Sequence, residues 1–133
     1  KVLKVNLTSV FILSKYLIPL MKSASMPRII FTTSSVGKKG KAFWGAYSVS
    51  KAGINALSEI LSDELEKTSN IKVFNFNPKA TQTSMRSFAY PAEHRNSQKK
   101  PDSLIEYYLW MLSEQSNSSK EIYIEFGQKL KTK

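Results

Sequence analysis

The run at residues 28–33, Arg-Ile-Ile-Phe-Thr-Thr, constrains this chain more than any other feature. It is short, apolar and β-branched, which reads as a strand buried in a parallel sheet. It ends in two hydroxyls, Ser34 and Ser35, and passes into a basic loop at residues 36–45 punctuated by Gly37, Gly40 and Gly45. A helical pattern follows over residues 45–68, with Val49, Ile54, Leu57, Leu61 and Leu65 as its apolar stripe. Ala52, Gly53 and Ala56 are small enough to let another element approach closely. Residues 71–76 read as the next strand, which Asn77-Pro78 stops because proline donates nothing to a ladder. These elements predict an α/β fold built on a parallel sheet with flanking helices.

Chemistry concentrates where the helix opens. Tyr47 and Lys51 are one turn apart and share a face. A phenol near its ordinary pKa of about 10 is a poor proton carrier at neutral pH. An ammonium beside it favours the phenolate and lowers that value, fitting Tyr47 for acid/base work on a substrate oxygen. Either Ser34 or Ser35, from the strand end, would hold the same oxygen. Against this stands a plain solvated helix face, since tyrosine and lysine are both abundant. The setting of strand, serine, loop and then Tyr-x-x-x-Lys is what lifts the pair above that reading.

Residues 1–22 read as an amphipathic helix with Val10, Leu13, Leu17 and Met21 on one stripe and a kink at Pro19. Asn6 lies on that stripe, one turn before Val10. It is either an amide satisfied by a neighbouring loop or a functional group. The pattern begins at residue 1 without a capping residue, so the sequence reads as starting in mid-element.

Taken together, V-N-L-T-S-V-F, the Ser-to-Tyr segment and N-P-K-A-T-Q-T-S-M-R resemble the short-chain dehydrogenase/reductase family. In that family the catalytic serine precedes the tyrosine by 13 residues, which selects Ser34, and an asparagine precedes the serine by 28, which selects Asn6. The resemblance extends over essentially the whole chain, and M-R with the Y-L-W-M-L segment is similar to the family's YciK branch. It implies the C-terminal half of a Rossmann-like doubly wound parallel sheet, and NAD or NADP as cofactor. The reaction implied is interconversion of an alcohol and a carbonyl. Asn6, Ser34, Tyr47 and Lys51 would be catalytic, with Tyr47, Lys51, Pro78, Thr81 and Thr83 at the cofactor. Lys79 stands where the family has glycine, a departure that strains the loop if the glycine served a positive φ. The family also implies a homodimer or homotetramer through helices 1–22 and 45–68.

The family's N-terminal half carries a glycine-rich turn that seats the cofactor pyrophosphate, and the five glycines here form no such turn. The expectation is therefore a partial domain over residues 1–133, ending in a basic tail at 127–133. Its strand at 28–33 would present an open apolar edge. The rival reading is an inactive fragment or an oligomerisation module lacking the cofactor site. A net charge of +10 raises nucleic-acid binding, but the lysines are scattered and argue against it. Lys38, Lys39 and Lys41 are either solvated or placed for an acidic substrate, and Phe43 and Trp44 line either a pocket or the core. Residues 84–100 read as a loop over the pocket, 104–112 as a helix and 122–126 as a last strand. No cysteine is present, so disulfides and thiolate chemistry are excluded, and a cytoplasmic location is expected. The lone His94 has no second ligand spaced for a metal. No run reaches the roughly 20 apolar residues of a membrane span.

Overall fold

The computed structural model describes residues 1–130, except for the side chain of Arg95. Three parallel strands form one sheet in the order β1 (Arg28–Thr32), β2 (Lys72–Asn77), β3 (Tyr123–Glu125). In register, Arg28 lies opposite Lys72 and Thr32 opposite Phe76, while Asn75 faces Tyr123 and Asn77 faces Glu125. Between β1 and β2 runs the long helix α3 (Gly45–Glu66), the crossover a parallel pair requires. The helix α1 (Ser9–Met21) precedes β1, and α5 (Ile105–Leu112) precedes β3.

Alternation along the strands produces two cores. On one face Phe31 and Val73 meet Ile54, Leu57, Leu61 and Leu65 of α3, with Leu7, Val10, Ile18 and Met21 packed from the N-terminal helix. On the other, Phe74, Phe76 and Ile124 meet Tyr107, Trp110 and Met111 of α5. Helices thus cover both faces, as the expected α/β architecture demands. Small residues do permit a close approach, at one point. A Cβ at Gly53 would lie 2.7 Å from Leu7 Cδ2.

Several boundaries and faces differ from the sequence reading. The N-terminal helix contains a wide turn at Lys4–Thr8 and continues past Pro19 to Met21. Leu13 and Leu17 are exposed, because the helix packs through residues 7, 10, 18 and 21 and the flank of β1 beside them is bare. Val49 is likewise exposed on α3. The loop at 36–45 opens with a one-turn helix, α2 (Ser35–Lys38). Residues 84–100 are not an irregular loop but begin with α4 (Ser84–Ala89). Thr83 caps that helix, accepting from Arg86 N at 3.1 Å, a local signal that outweighs the weak apolar periodicity. The proposed basic tail folds back at its start, with Gln128 N donating to Glu125 O at 3.0 Å. Residues 131–133 of that tail lie outside the described residues. Among the described residues, no helix is long and apolar enough to cross a membrane, and no group of acidic, histidine or cysteine side chains is arranged for a metal.

Candidate active site

Parallel α/β sheets present their sites at the carboxyl ends of the strands, and the chemistry gathers there. β1 ends at Thr32, and Thr33 N donates to Phe76 O at 2.8 Å, tying the strand end to β2. Ser34 follows in extended conformation (φ −154°, ψ 155°) and turns the chain into α2. That turn lies directly on α3: Ser48 Oγ donates to Val36 O at 2.5 Å, and a Cβ at Gly37 would stand 2.8 Å from the Lys51 backbone carbon. Only glycine allows this approach. It brings the Ser34 hydroxyl near enough to the Tyr47 phenol to act on its pKa.

The single turn between Tyr47 and Lys51 places the ammonium 5.6 Å from the centroid of the tyrosine ring. Lys51 Nζ donates to Thr32 O at 2.8 Å. Asn6 lies in the wide turn of the N-terminal helix and donates from Nδ2 to Ser50 Oγ at 3.4 Å; Ser50 Oγ donates in turn to Tyr47 O at 2.7 Å. Wide turns of this kind occur often at functional sites. Asn6, Ser34, Tyr47 and Lys51 thus come from three segments to one place.

Their electrostatics depart from expectation in one respect. Burial pushes the Tyr47 phenol up from its ordinary value, partly opposed by the Ser34 hydroxyl. Lys51 was expected to pull it down. Instead the ammonium is fixed on the Thr32 carbonyl beside the ring, and burial lowers its own pKa. A phenol in this state is protonated at neutral pH.

Pro78, Thr81 and Thr83 occupy the end of β2, the neighbouring strand, so they share the same rim of the sheet. Their side chains serve their own loop. Thr81 Oγ1 donates to Pro78 O at 3.3 Å and to Lys79 O at 3.2 Å, while Thr83 caps α4. Lys79 has φ +55°, the left-handed conformation that glycine adopts freely. Its backbone N donates to Asn77 Oδ1 at 3.0 Å, and its ammonium pairs with Glu125 at 2.8 Å.

Sequence reading missed the buried polar group behind these residues. Thr33 Oγ1 donates to Asn55 Oδ1 at 2.5 Å, and Asn75 Nδ2 donates to Asn55 Oδ1 at 3.0 Å and Ser58 Oγ at 2.9 Å. An asparagine in the middle of an apolar strand was the available signal, since a buried amide needs partners.

A sequence profile described as short chain dehydrogenase matches residues 1–94. The chain belongs to the short-chain dehydrogenase family. It is YciK-like within that family: the oxidoreductase YciK of Escherichia coli K12 is 36% identical over 115 residues, covering 86% of this chain and 45% of YciK. A short chain dehydrogenase from Escherichia coli CFT073, solved in complex with NADPH, superposes with a TM-score of 0.87 at 32% identity, over 92% of this chain and 50% of that one. One from Shigella flexneri 2a, solved with NADP, gives the same TM-score and identity over 92% of this chain and 51% of its own. The chain spans about half the length of the relatives it matches. The family resemblance carried by those motifs therefore holds, and so does the Rossmann-like fold.

Proposed function

We propose that this chain carries the proton-transfer half of an NADP(H)-dependent oxidoreductase that interconverts an alcohol and a carbonyl. The observation that supports this reading best is the convergence of Ser34, Tyr47 and Lys51 at the end of β1. Tyr47 Oη protonates the carbonyl oxygen in reduction and recovers the proton in oxidation. Ser34 Oγ holds that same oxygen. The Lys51 charge stabilises the phenolate that proton loss leaves behind, and Asn6 supports the path by which the proton is replaced. Because burial keeps the phenol protonated, the site is poised for reduction.

Lys51, with Pro78, Thr81 and Thr83, borders the place for the nicotinamide end of the cofactor. The fit rests on Lys51: among the described residues one of its three N–H donors is used, on Thr32 O, leaving two for ribose hydroxyls. When bound, the nicotinamide supplies or accepts the hydride. The pyrophosphate seat belongs to the other half of the fold, so residues 1–133 form the C-terminal part of a cofactor-binding domain. Two copies pair through residues 1–22 and α3, where Phe11, Leu13, Tyr16, Leu17 and Leu20 are exposed apolar side chains on one helix.

The test is NADPH consumption with a carbonyl panel by a protein that carries both halves of the domain. Tyr47→Phe lowers turnover by about 10²- to 10⁴-fold, the span of general acid catalysis. Turnover that survives the substitution sinks the assignment. A protein that neither binds NADPH nor turns over any carbonyl is an oligomerisation module instead.

A further inference from the structure

Beside the Tyr47 ring stands a row of aromatic side chains. The Trp44 ring lies 5.4 Å from the Tyr47 ring and 5.9 Å from the Tyr90 ring. Both tryptophan and tyrosine are half-buried, so one side of the row faces outward. Phe43, the residue before the tryptophan, is fully exposed and has φ +69°. A non-glycine residue in the left-handed region carries a conformational cost, and an exposed phenylalanine gains no burial to offset it. Strain and a solvated ring at one residue point to function. Met85 and Phe88 of α4, the helix that ends at Tyr90, are exposed as well. A set of apolar groups around a few polar ones is the ordinary composition of a small-molecule site.

The charges nearby decide what kind of molecule fits. Arg86 stacks on Tyr90, its Cζ 3.7 Å from the ring centroid, and would be the natural anchor for a carboxylate. It is already taken. Its Nε and Nη2 donate to the two carboxylate oxygens of Glu93 at 2.7 Å each, a closed and electrically neutral pair. Lys79 is paired with Glu125, Lys99 Nζ donates to Ala80 O at 2.5 Å, and Lys38 lies over the Tyr123 ring at 4.8 Å. Among the described residues, the two cations here that meet carboxylates, Arg86 and Lys79, are neutralised, and the wall beside them offers ring faces.

We infer that Phe43, Trp44 and Tyr90 form an aryl-binding wall, and that the substrate is a neutral carbonyl or alcohol with an aromatic ring next to the reacting carbon. This rests on the reading of Tyr47 as the proton carrier: a ring against Trp44 would bring an adjacent carbonyl oxygen toward the Ser34–Tyr47 pair. An offset or edge-on ring contact distinguishes aryl from saturated groups of like size.

Acetophenone, cyclohexyl methyl ketone and benzoylformate would be titrated into the full chain by ligand-observed NMR, with folding checked by circular dichroism. Acetophenone is expected to bind about 3- to 10-fold more tightly than its saturated counterpart. Trp44→Ala removes that preference and Trp44→Phe restores most of it. Tyr47→Phe leaves it within about twofold, since the ring remains. Equal binding of the two ketones, an unchanged preference in Trp44→Ala, or tightest binding by benzoylformate overturns the proposal. The arms also separate the two readings. If Tyr47→Phe keeps full turnover, the proton-transfer assignment falls while the ring preference stands or falls on Trp44. If the preference is absent and Tyr47→Phe is inactive, the aryl wall falls alone.

Discussion

Gly37→Ala tests the packing that joins Ser34 to Tyr47. At an unconstrained position with negative φ, alanine in place of glycine stabilises a protein by about 0.4–1 kcal/mol, through the unfolded chain. Gly37 is not unconstrained. The added Cβ would stand 2.8 Å from both the carbonyl carbon and the Cβ of Lys51, and 2.9 Å from its carbonyl oxygen. Two of those atoms are helix backbone in the middle of α3, which cannot swing aside, so α2 must lift away. Overpacking of this kind costs about 1–3 kcal/mol, and because rigid helix backbone is struck the upper part of that range applies, leaving a net loss of up to about 2.6 kcal/mol after the alanine gain. Since Ser34 opens α2, lifting it also separates the serine hydroxyl from the phenol and removes the one contact that opposes the rise of the Tyr47 pKa. Urea denaturation gives the stability, and NADPH turnover reports the site. Gly45→Ala is the control, because a Cβ there meets nothing within 4 Å, and it should be neutral or stabilising. Should Gly37→Ala prove as stable as Gly45→Ala, the close approach of α2 to α3 is wrong and the argument for Ser34 loses its support.

Asn55→Ala strands the Thr33 hydroxyl and one Asn75 donor in the core, and a loss of about 2–4 kcal/mol in urea denaturation is expected. Burial, with Glu59 accepting from its hydroxyl at 2.6 Å, pushes the Tyr123 pKa up to about 12, so one tyrosine should ionise late in an ultraviolet titration and earlier in Glu59→Gln. A folded pKa above the unfolded value of about 10 favours the fold fully below pH 10. That contribution disappears as pH rises toward 12. Lys79 holds the Glu125 carboxyl below its usual range, so their contribution is present above that range and is lost on acidification. Lys79→Met should flatten this part of the pH–stability curve. Leu17→Lys on the exposed flank of α1 should turn any dimer seen by light scattering into monomer without lowering the unfolding midpoint.

How much of this was legible in the sequence depended on the range of the interaction. The strands at 28–33 and 71–76 and the helix at 45–68 were visible because alternation and helical spacing are local signals, and the structure shifts their ends by no more than a few residues. Tyr47 and Lys51 were visible as a pair because one helical turn puts them on one face, whereas the residues left Ser34 and Ser35 equal and the family resemblance chose Ser34. Which face of α1 is buried was not visible: Leu13 and Leu17 look identical to Val10 and Met21 in sequence, and only the bare flank of β1 separates them. Nor was the direction of the Tyr47 shift, since burial raises it and burial is set by elements distant in sequence. α2 and α4 were missed because each is too short for a period to appear, and their ends are set by single contacts such as the Thr83 cap.

Lys79 shows how the fold tolerates a residue that breaks the family pattern. The sequence implied strain if the loop needs a positive φ, and the loop does have one. The conformation is imposed from both sides. Asn77, itself buried, accepts from Lys79 N and donates from Nδ2 to Glu125 Oε2 at 3.0 Å, while Thr81 Oγ1 closes the loop on the carbonyls of Pro78 and Lys79. Glu125 then receives the lysine ammonium on its other oxygen. That ion pair is about half exposed, with side chains 50% and 42% accessible, so it contributes less than about 1 kcal/mol. The left-handed backbone costs about 1–2 kcal/mol, so the ion pair does not cancel it, and the buried Asn77 contacts must carry the rest. It follows that Lys79→Gly should not destabilise the protein, whereas Asn77→Ala should cost about 1–3 kcal/mol and loosen Pro78 and Thr81 together. Amide hydrogen exchange at residues 79–83 reads this directly, and faster exchange in Lys79→Gly than in Asn77→Ala would reverse the order of causes.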